Sequence, residues 1–343
     1  MLCLKLYGKE SLQLEEIEEP FVGNSEALLK VKATNICATD IKAYLTGART
    51  RLPIILGHEF SGIIVEAGPE LEQYIGKRVV VDPDIPDGNC EFCLRGEHAL
   101  CSNLYTIGID VDGSFAEFVK LDVHAFRVGC VQVIPETITF EEASLVEPFA
   151  SCYRGQRKLR IKTGETIAII GAGPIGLIHL KLAKLSGTLK VIMSEIQETR
   201  IKTAERMGAD YVINPIEENF EEEVMKLTNG RGCDAVIVTV PLPQAQKDAL
   251  RIVRKGGRVN FFAGLPSGKE IVDINTNVIH YKQITILGTS MPDILDFKEM
   301  INFIANKLID VKDLITHSLP LNDGLKAFSI AVKGEGLKVQ LTP

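Results

Sequence analysis

The run TIAIIGAGPIG at 166–176 constrains this chain more than any other segment. A strand-like stretch, Thr166 to Ile170, passes straight into Gly171-Ala172-Gly173-Pro174-Ile175-Gly176, a GxGxxG turn. Ile175, Ile178, Leu182 and Leu185 then recur at helical spacing until Gly187. A strand that turns in this way into an amphipathic helix is the start of a βαβ unit. In that context the glycines serve different ends. The first permits a tight turn, the second lets the backbone approach a pyrophosphate, and the third lets the helix close on the strand. The helix N-terminus adds free N–H groups and a positive dipole. Pro174, which has no N–H, fits an early helical position. The second strand ends at Ser194-Glu195, nineteen residues beyond Gly176, where an acidic side chain accepts hydrogen bonds from ribose hydroxyls. Arg200 either stacks on an adenine or faces water.

The rest of the chain falls around this unit. From the start to about residue 150 the strand-like runs are short and punctuated by Gly (28–33, 62–67, 77–82, 114–120), which predicts an irregular, mostly β domain. After residue 160, apolar runs at 166–171, 189–194, 234–239, 258–264 and 284–288 alternate with amphipathic stretches, the pattern of an α/β, doubly wound parallel sheet. From about 291 a helical stretch with Ile294, Phe297, Met300, Ile301 and Ile304 on one face precedes a short apolar end, LKVQLTP. We expect this tail to rejoin the first domain. The organisation is then 1–150 with 291–343, and 151–290, with a cleft at the junction. A length of 343 residues, at ~150 per domain, agrees with two domains.

Charge narrows the partners. Forty-five acidic against thirty-eight basic residues give a net charge of -7, so no cationic surplus exists to neutralise nucleic acid or coat an anionic membrane. No apolar run reaches the ~18 residues of a transmembrane helix, and the first residues meet charges too soon for a signal peptide. These features predict a cytoplasmic protein, in which the eight cysteines are reduced thiols and close spacing among them points to metal.

Two groups fit that chemistry. Cys37 follows the 28–33 run, Gly57-His58-Glu59 follows the apolar run PIILG, and Glu147-Pro148 stands near where the dinucleotide unit begins. Together they offer thiolate, imidazole and carboxylate, a set zinc takes with its fourth position open to water or a substrate oxygen. The three positions lie 21 and 89 residues apart, so spacing alone does not establish the site. The second group is local: Asp87, Cys90, Cys93 and Cys101. Three thiols this close suggest a closed structural zinc with Asp87 completing four-coordination, and His98 is the competing fourth ligand.

These residues resemble a known family, the zinc-dependent medium-chain dehydrogenases, and especially its polyol (sorbitol/L-iditol, galactitol-phosphate) and threonine dehydrogenase branch. The matching segments are Cys37-Ala38-Thr39-Asp40, Gly57-His58-Glu59, the 87–101 lobe, Gly113-Ser114-Phe115-Ala116-Glu117, Glu147-Pro148, the Gly171–Gly176 turn with Glu195, and Asn277-Val278-Ile279-His280. The resemblance implies a GroES-like catalytic domain split around a Rossmann domain. It makes Cys37 and His58 catalytic zinc ligands, Glu59 a ligand or exchanging neighbour, and Glu147 the carboxylate that stands where simple alcohol dehydrogenases carry a second cysteine. Thr39 matches the hydroxyl that hands on the substrate proton. Cys90, Cys93 and Cys101 match three structural cysteines, with Asp87 where the first should be. Lys42, Ala43 and the 288–291 segment GTSM depart from animal sorbitol dehydrogenases, so their sugar contacts do not transfer. The implied activity is reversible, NAD-dependent oxidation of a secondary alcohol, most simply a polyol hydroxyl, by a homodimer or homotetramer. Threonine or simple secondary-alcohol oxidation uses the same zinc and cofactor. A redox-sensing or binding protein on the same fold would be expected to have lost one of these metal-capable residues, and none is lost.

Overall fold

The computed structural model describes residues 1–47 and 50–343. They form two compact units: Met1–Ala150 with Met291–Pro343, and Ser151–Ser290. Among the described residues no helix is long and apolar enough to cross a membrane.

The second unit is built on a six-stranded parallel sheet. Its spatial order is Tyr211–Ile213, Lys190–Ser194, Thr166–Ile170, Cys233–Val238, Val253–Phe261, Thr285–Gly288. In chain order this is 3-2-1-4-5-6, so the direction of winding reverses beside Thr166–Ile170, and ligands of such sheets bind at the carboxyl ends of the strands at that reversal. Every residue of Thr166–Ile170 and Cys233–Val238 is buried, because helices cover both faces of a parallel sheet; this is why those strands read as unbroken apolar runs. Beyond one-residue shifts at strand ends, two features differ from the sequence reading. The 258–264 run belongs to a longer strand that starts at Val253, through the basic segment Arg254-Lys255 that hides it. The three-residue edge strand Tyr211–Ile213 is too short to show periodicity.

The first unit centres on a seven-stranded sheet. Its path runs Val131–Val133, Arg78–Val81, Glu59–Ala67, Glu26–Ile36, Lys338–Thr342, Ile315–Pro320, with Phe118–Asp122 also paired to Glu26–Ile36. The segment after 291 contributes the helix Ile294–Ala305 and two of these strands. Leu29, Val31, Phe60, Ile64, Val79 and Val81 fill one apolar core, and Leu4, Leu6, Ile55, Phe115, Phe328 and Leu341 another.

At one end of this sheet the apolar pattern gives way to polar residues in register. Asn35 lies opposite Glu59 on one side and opposite Gln340 on the other. Directly opposed residues share a face, as do positions two apart along a strand, so Glu59, Asn35, Gln340 and Lys338 are brought onto one surface. The Asn35 amide donates to Ser144 O (3.0 Å) and Oγ (2.9 Å), and Gln340 Nε2 donates to Asn35 Oδ1 and Ser144 Oγ (both 3.1 Å). These bonds tie the approach to the helix Val146–Leu159, and with it Glu147, to the same sheet end.

Candidate functional site

Cys37 directly follows the Glu26–Ile36 strand and caps the helix Ala38–Thr46. Asp40, in the first turn of that helix, is 1% exposed and organises the surrounding backbone. Its Oδ2 accepts from Cys37 N–H at 2.8 Å, its Oδ1 accepts from Gly57 N–H at 3.3 Å, and the same oxygen lies 3.3 Å from His58 Nδ1. One carboxylate thus braces the backbone at Cys37 and at Gly57 and lies beside the His58 ring, the place where metal-ligating histidines carry an orienting partner. Gly57 has φ +97, and a Cβ there would stand 2.6 Å from Phe115 Cδ1. Only glycine permits the turn that delivers His58, and this explains why the Ser114-Phe115 segment accompanies it.

Cys37, His58 and Glu59 each place a ligand atom within 4.8 Å of the others. Glu59 is fully buried, and its Oε1 accepts from Lys338 Nζ; Oε2 is buried with no hydrogen-bond partner among the described residues. Glu147, partly exposed at the head of its helix, is pushed up to about 8 by loss of water around its carboxyl and then by the Glu59 carboxylate. Burial works against a charged His58, but Asp40 and Cys37 outweigh it and hold its pKa well above the usual value. Lys338 is raised in the same sense: burial opposes its charge, and Glu59 and Cys37 more than restore it. The Glu59 carboxylate with its unpartnered oxygen, a thiol and an imidazole form a cluster that draws positive charge onto itself; Glu147 lies outside that group of three but near enough to feel the Glu59 charge. That donor set fits a divalent cation such as zinc. Thr39 Oγ1 lies 3.9 Å from Cys37 Sγ.

The second group also converges. Asp87, Cys90, Cys93 and Cys101 place their ligand atoms within 4.8 Å of one another; His98 is outside the cluster. Local turns bring this about. Asp87 Oδ1 accepts from the N–H groups of Asn89 and Cys90 (both 3.0 Å), Asp87 N–H donates to Cys101 Sγ at 3.2 Å, and the Cys93 thiol donates to Asp87 Oδ1 at 3.3 Å. The N–H of Cys90, then that of Asn89, and the Asn103 amide hold the Asp87 carboxyl well below the usual carboxylate range. The backbone N–H groups of Cys93 and Ser102 lower Cys90, whereas burial lifts Cys93 to about 12. A carboxylate that stays ionised beside three thiols is a complete tetrahedral donor set for zinc.

The Gly-rich turn sits at the reversal point of the parallel sheet, and its glycines differ as the chemistry requires. Gly171 has φ +108, and a Cβ on Gly176 would stand 2.0 Å from Gly171 O. Beside Gly173, by contrast, the space is open: its Cβ would meet only Arg200 Nη1, at 3.9 Å. Gly173 also caps the helix Pro174–Leu185, with Pro174 in its first turn. Gly173, Pro174 and Ile175 are partly exposed where Gly171 and Gly176 are buried. Glu195 is 7% exposed and accepts from Ala172 N–H (2.9 Å), Ile196 N–H (2.8 Å) and Gln197 N–H (3.0 Å). It therefore links the turn to the end of the neighbouring strand rather than standing as a solvated charge, and carboxylate lone pairs remain for a ligand.

Sequence reasoning missed Lys338, Asn35 and Gln340, and took Asp40 only as part of a matching segment. A signal for the first was present. Lys338, Gln340 and Thr342 alternate with Val339 and Leu341, so one face of that strand is polar, and the sheet order makes it an inward face.

A doubly wound sheet carrying a dinucleotide turn, in one chain with a β unit that gathers Cys, His and Glu, defines a metal-assisted dehydrogenase. Residues 23–132 match the alcohol dehydrogenase GroES-like domain and residues 174–306 the zinc-binding dehydrogenase family. The chain belongs to the zinc-dependent medium-chain dehydrogenases and is an oxidoreductase. It is 33% identical to the sorbitol dehydrogenase of Bacillus subtilis, over 100% of this chain and 97% of that protein. It is 39% identical to the L-threonine 3-dehydrogenase of Pyrococcus furiosus, over 82% of this chain and 79% of that one. Among solved structures, a zinc-binding dehydrogenase from Sinorhizobium meliloti bound to NADP superposes with a TM-score of 0.91 at 30% identity, covering 100% and 99% of the two chains.

Proposed function

We propose that this protein oxidises one secondary hydroxyl of a polyol of the sorbitol or L-iditol type to the ketone and passes the hydride to NAD. The observation that carries this reading is the convergence of Cys37, His58 and Glu59 beside Glu147, in a chain that also presents the Gly171–Gly176 turn. Zinc bound by Cys37, His58 and a carboxylate, Glu147 or Glu59, supplies a Lewis acid that favours loss of a hydroxyl proton. Asp40 keeps His58 and Cys37 aimed at the cation. The Thr39 hydroxyl, next to Cys37, accepts the alcohol proton and hands it toward solvent. With the cofactor bound, its nicotinamide would take the carbinol C–H electron pair as hydride while the carbon–oxygen bond becomes the ketone. The chain's contribution is position and fixed charge.

Gly173 and the helix N-terminus, with Pro174, Ile175 and Arg200, would hold the cofactor pyrophosphate. Glu195 would accept from the ribose hydroxyls, and its charge would disfavour a 2′-phosphate; this supports NAD although the Sinorhizobium relative holds NADP. Zinc in the 87–101 lobe is structural. Eight free thiols suit a reducing, cytoplasmic setting, and the active form is a homodimer or homotetramer. Identity to the Pyrococcus enzyme supports L-threonine 3-dehydrogenase as the second reading. Formation of NADH across alditols, inositols, their phosphates and L-threonine tests the choice. Alditols should give the highest kcat/KM, and a clear excess for threonine replaces the first reading by the second.

A further inference from the structure

The parallel sheet has a second end, opposite the Gly-rich turn, and positive charge is concentrated there. Cys233, Val253 and Thr285 are the first residues of three neighbouring parallel strands, whereas Gly171 follows the last residue of its strand. The two places are therefore a strand's length apart, on the order of 17 Å. At the far end Arg231, Arg254, Lys255 and Lys282 surround a concavity of about 440 Å³, with Met225 and Val253 on its apolar side. That volume is within the range of small-molecule sites.

The backbone is shaped to hold these cations together. Cys233 pairs with Val253 and Ala235 with Arg258, so a single residue, Asp234, faces the excursion Arg254-Lys255-Gly256-Gly257. Gly256 has φ +65, and a Cβ on Gly257 would stand 2.4 Å from Val253 Cγ2, so the excursion turns back through glycine and leaves Arg254 beside Arg231. Asp234 Oδ1 accepts from Arg231 Nη2 at 2.5 Å and from Arg254 Nε at 2.6 Å; two guanidinium groups share one buried carboxylate. Lys282 Nζ donates to the carbonyls of Leu250, Arg251 and Val253 (3.3, 2.7 and 3.0 Å). It thereby cancels the negative end of the helix Pro243–Ile252, which would otherwise repel an anion. Lys255 is exposed at the rim. Asp234, with Glu221 acting on Lys282, offsets two of the four cations, and two positive charges remain in a chain whose net charge is -7.

We propose that this concavity is a second binding site, separate from the cofactor turn, for the phosphate monoester group of a small metabolite. Such a group carries about two negative charges at pH 7 and three acceptor oxygens, which matches the surplus. Arg231 and Arg254 each use only part of their five-donor fork within the protein, so planar N–H groups remain for an oxyanion and Lys255 adds a point charge. Met225 and Val253 offer the body of the ligand an apolar wall.

The test titrates the full chain with AMP and with ribose 5-phosphate by calorimetry. NADH is kept at saturation so that the cofactor's own phosphate contacts are filled, and chloride holds the ionic strength constant. One ester or both should bind at a site that Lys255→Glu weakens by at least about tenfold, the scale of a charge-assisted hydrogen bond. Lys255→Arg should stay within about twofold of wild type, because it keeps the charge. NADH affinity, read by its fluorescence, should be the same in all three proteins. Tighter binding of AMP identifies a nucleotide as the source of the phosphate, and equal binding a simple phosphate ester. A purely structural set of cations, there to hold Asp234 and the helix end, predicts that neither ester binds or that Lys255→Glu leaves the affinity unchanged, and either result overturns the proposal. Lys255 is exposed, so its replacements test the site without opening the core; if Lys255→Glu nevertheless fails to fold, Lys255→Gln decides by the same criterion, at least about threefold weaker binding against no change.

Discussion

The two metal-capable clusters are made from similar side chains in opposite ways. Asp87, Cys90, Cys93 and Cys101 occupy fifteen consecutive residues, and turns held by their own backbone N–H groups bring them together. Cys37 comes from one segment and His58-Glu59 from another, and they meet where Asn35 is in register with both Glu59 and Gln340, with Glu147 near but outside the group. The first cluster needs only a loop. The second exists only when three strands are paired correctly, so its geometry depends on the fold while the fold depends little on it. The lobe is the reverse case: it has few apolar residues of its own, and Leu94 and Leu100 are exposed, so a metal bound there would add to the turn hydrogen bonds that hold its shape.

That contrast can be broken experimentally. The largest effect is expected from Cys37→Ser. Loss of the Lewis acid forfeits several kcal/mol of transition-state stabilisation, so turnover should fall at least ~10³-fold at ~1.36 kcal/mol per decade. Urea unfolding should change by less than about 1 kcal/mol, within the ordinary range for a substitution that opens no cavity. Near-normal turnover with unchanged metal content would put the site elsewhere.

Cys93→Ser should do the opposite. Metal analysis should fall from two zinc per chain to one, and Tm should drop by roughly 5–10 °C, the shift that loss of a few kcal/mol produces in a domain of this size. Turnover per remaining zinc should be preserved at low temperature. A wild-type protein with one zinc that disappears in Cys37→Ser, while the lobe stays ordered, would remove the lobe from the comparison.

Glu195 is an intermediate case, near the Gly-rich turn in sequence but joined to it through sheet pairing. Repulsion between its carboxylate and a 2′-phosphate at ~4 Å is about 4 kcal/mol at an effective dielectric near 20, and screening should leave roughly half. Glu195→Ser should therefore lose on the order of 30-fold in its preference for NAD over NADP, measured as the ratio of kcat/KM values. Equal use of both cofactors by the wild type would show that the three backbone bonds turn this carboxylate away from the ribose.

The smallest effect is expected from Asp87→Cys, which completes a four-sulfur set. Zinc should leave the lobe about tenfold more slowly to a chelator, a gain near 1.4 kcal/mol, with no change in turnover. Faster loss would mean that Asp87 is valued for its bonds to Asn89, Cys90 and Asn103 more than for its oxygen as a ligand.

Legibility followed the same division. The turn at 171–176 and the Cys90-x2-Cys93 spacing were readable because backbone requirements repeat over a few residues. Thr166–Ile170 and Cys233–Val238 were readable because burial on both faces leaves continuous apolar runs. Cys37, His58 and Glu147 became a group through family resemblance, not through spacing. Lys338 left only the polar alternation of 338–342 as a trace, because a single lysine in a short strand gains meaning only when the sheet order gives it a partner 279 residues away. The Val253 start and the Tyr211–Ile213 edge were hidden by charged and exposed residues, where periodicity carries no signal.

The strand Lys338–Thr342 sets a schedule for the metal centre as the chain is made. Cys37, His58 and Glu147 are all synthesised before it, and Lys338 follows Glu147 by 191 residues. At ~5–20 residues per second this interval is on the order of 10–40 s. Throughout it the donors exist without their counter-charge and without the strand that aligns Asn35, so a metal captured early meets an unbalanced, unaligned set of ligands. Arrival of Lys338 and Gln340 gives Glu59 its buried partner and Asn35 its second neighbour, so the late strand is the step that completes the polar sheet end around the candidate metal ligands.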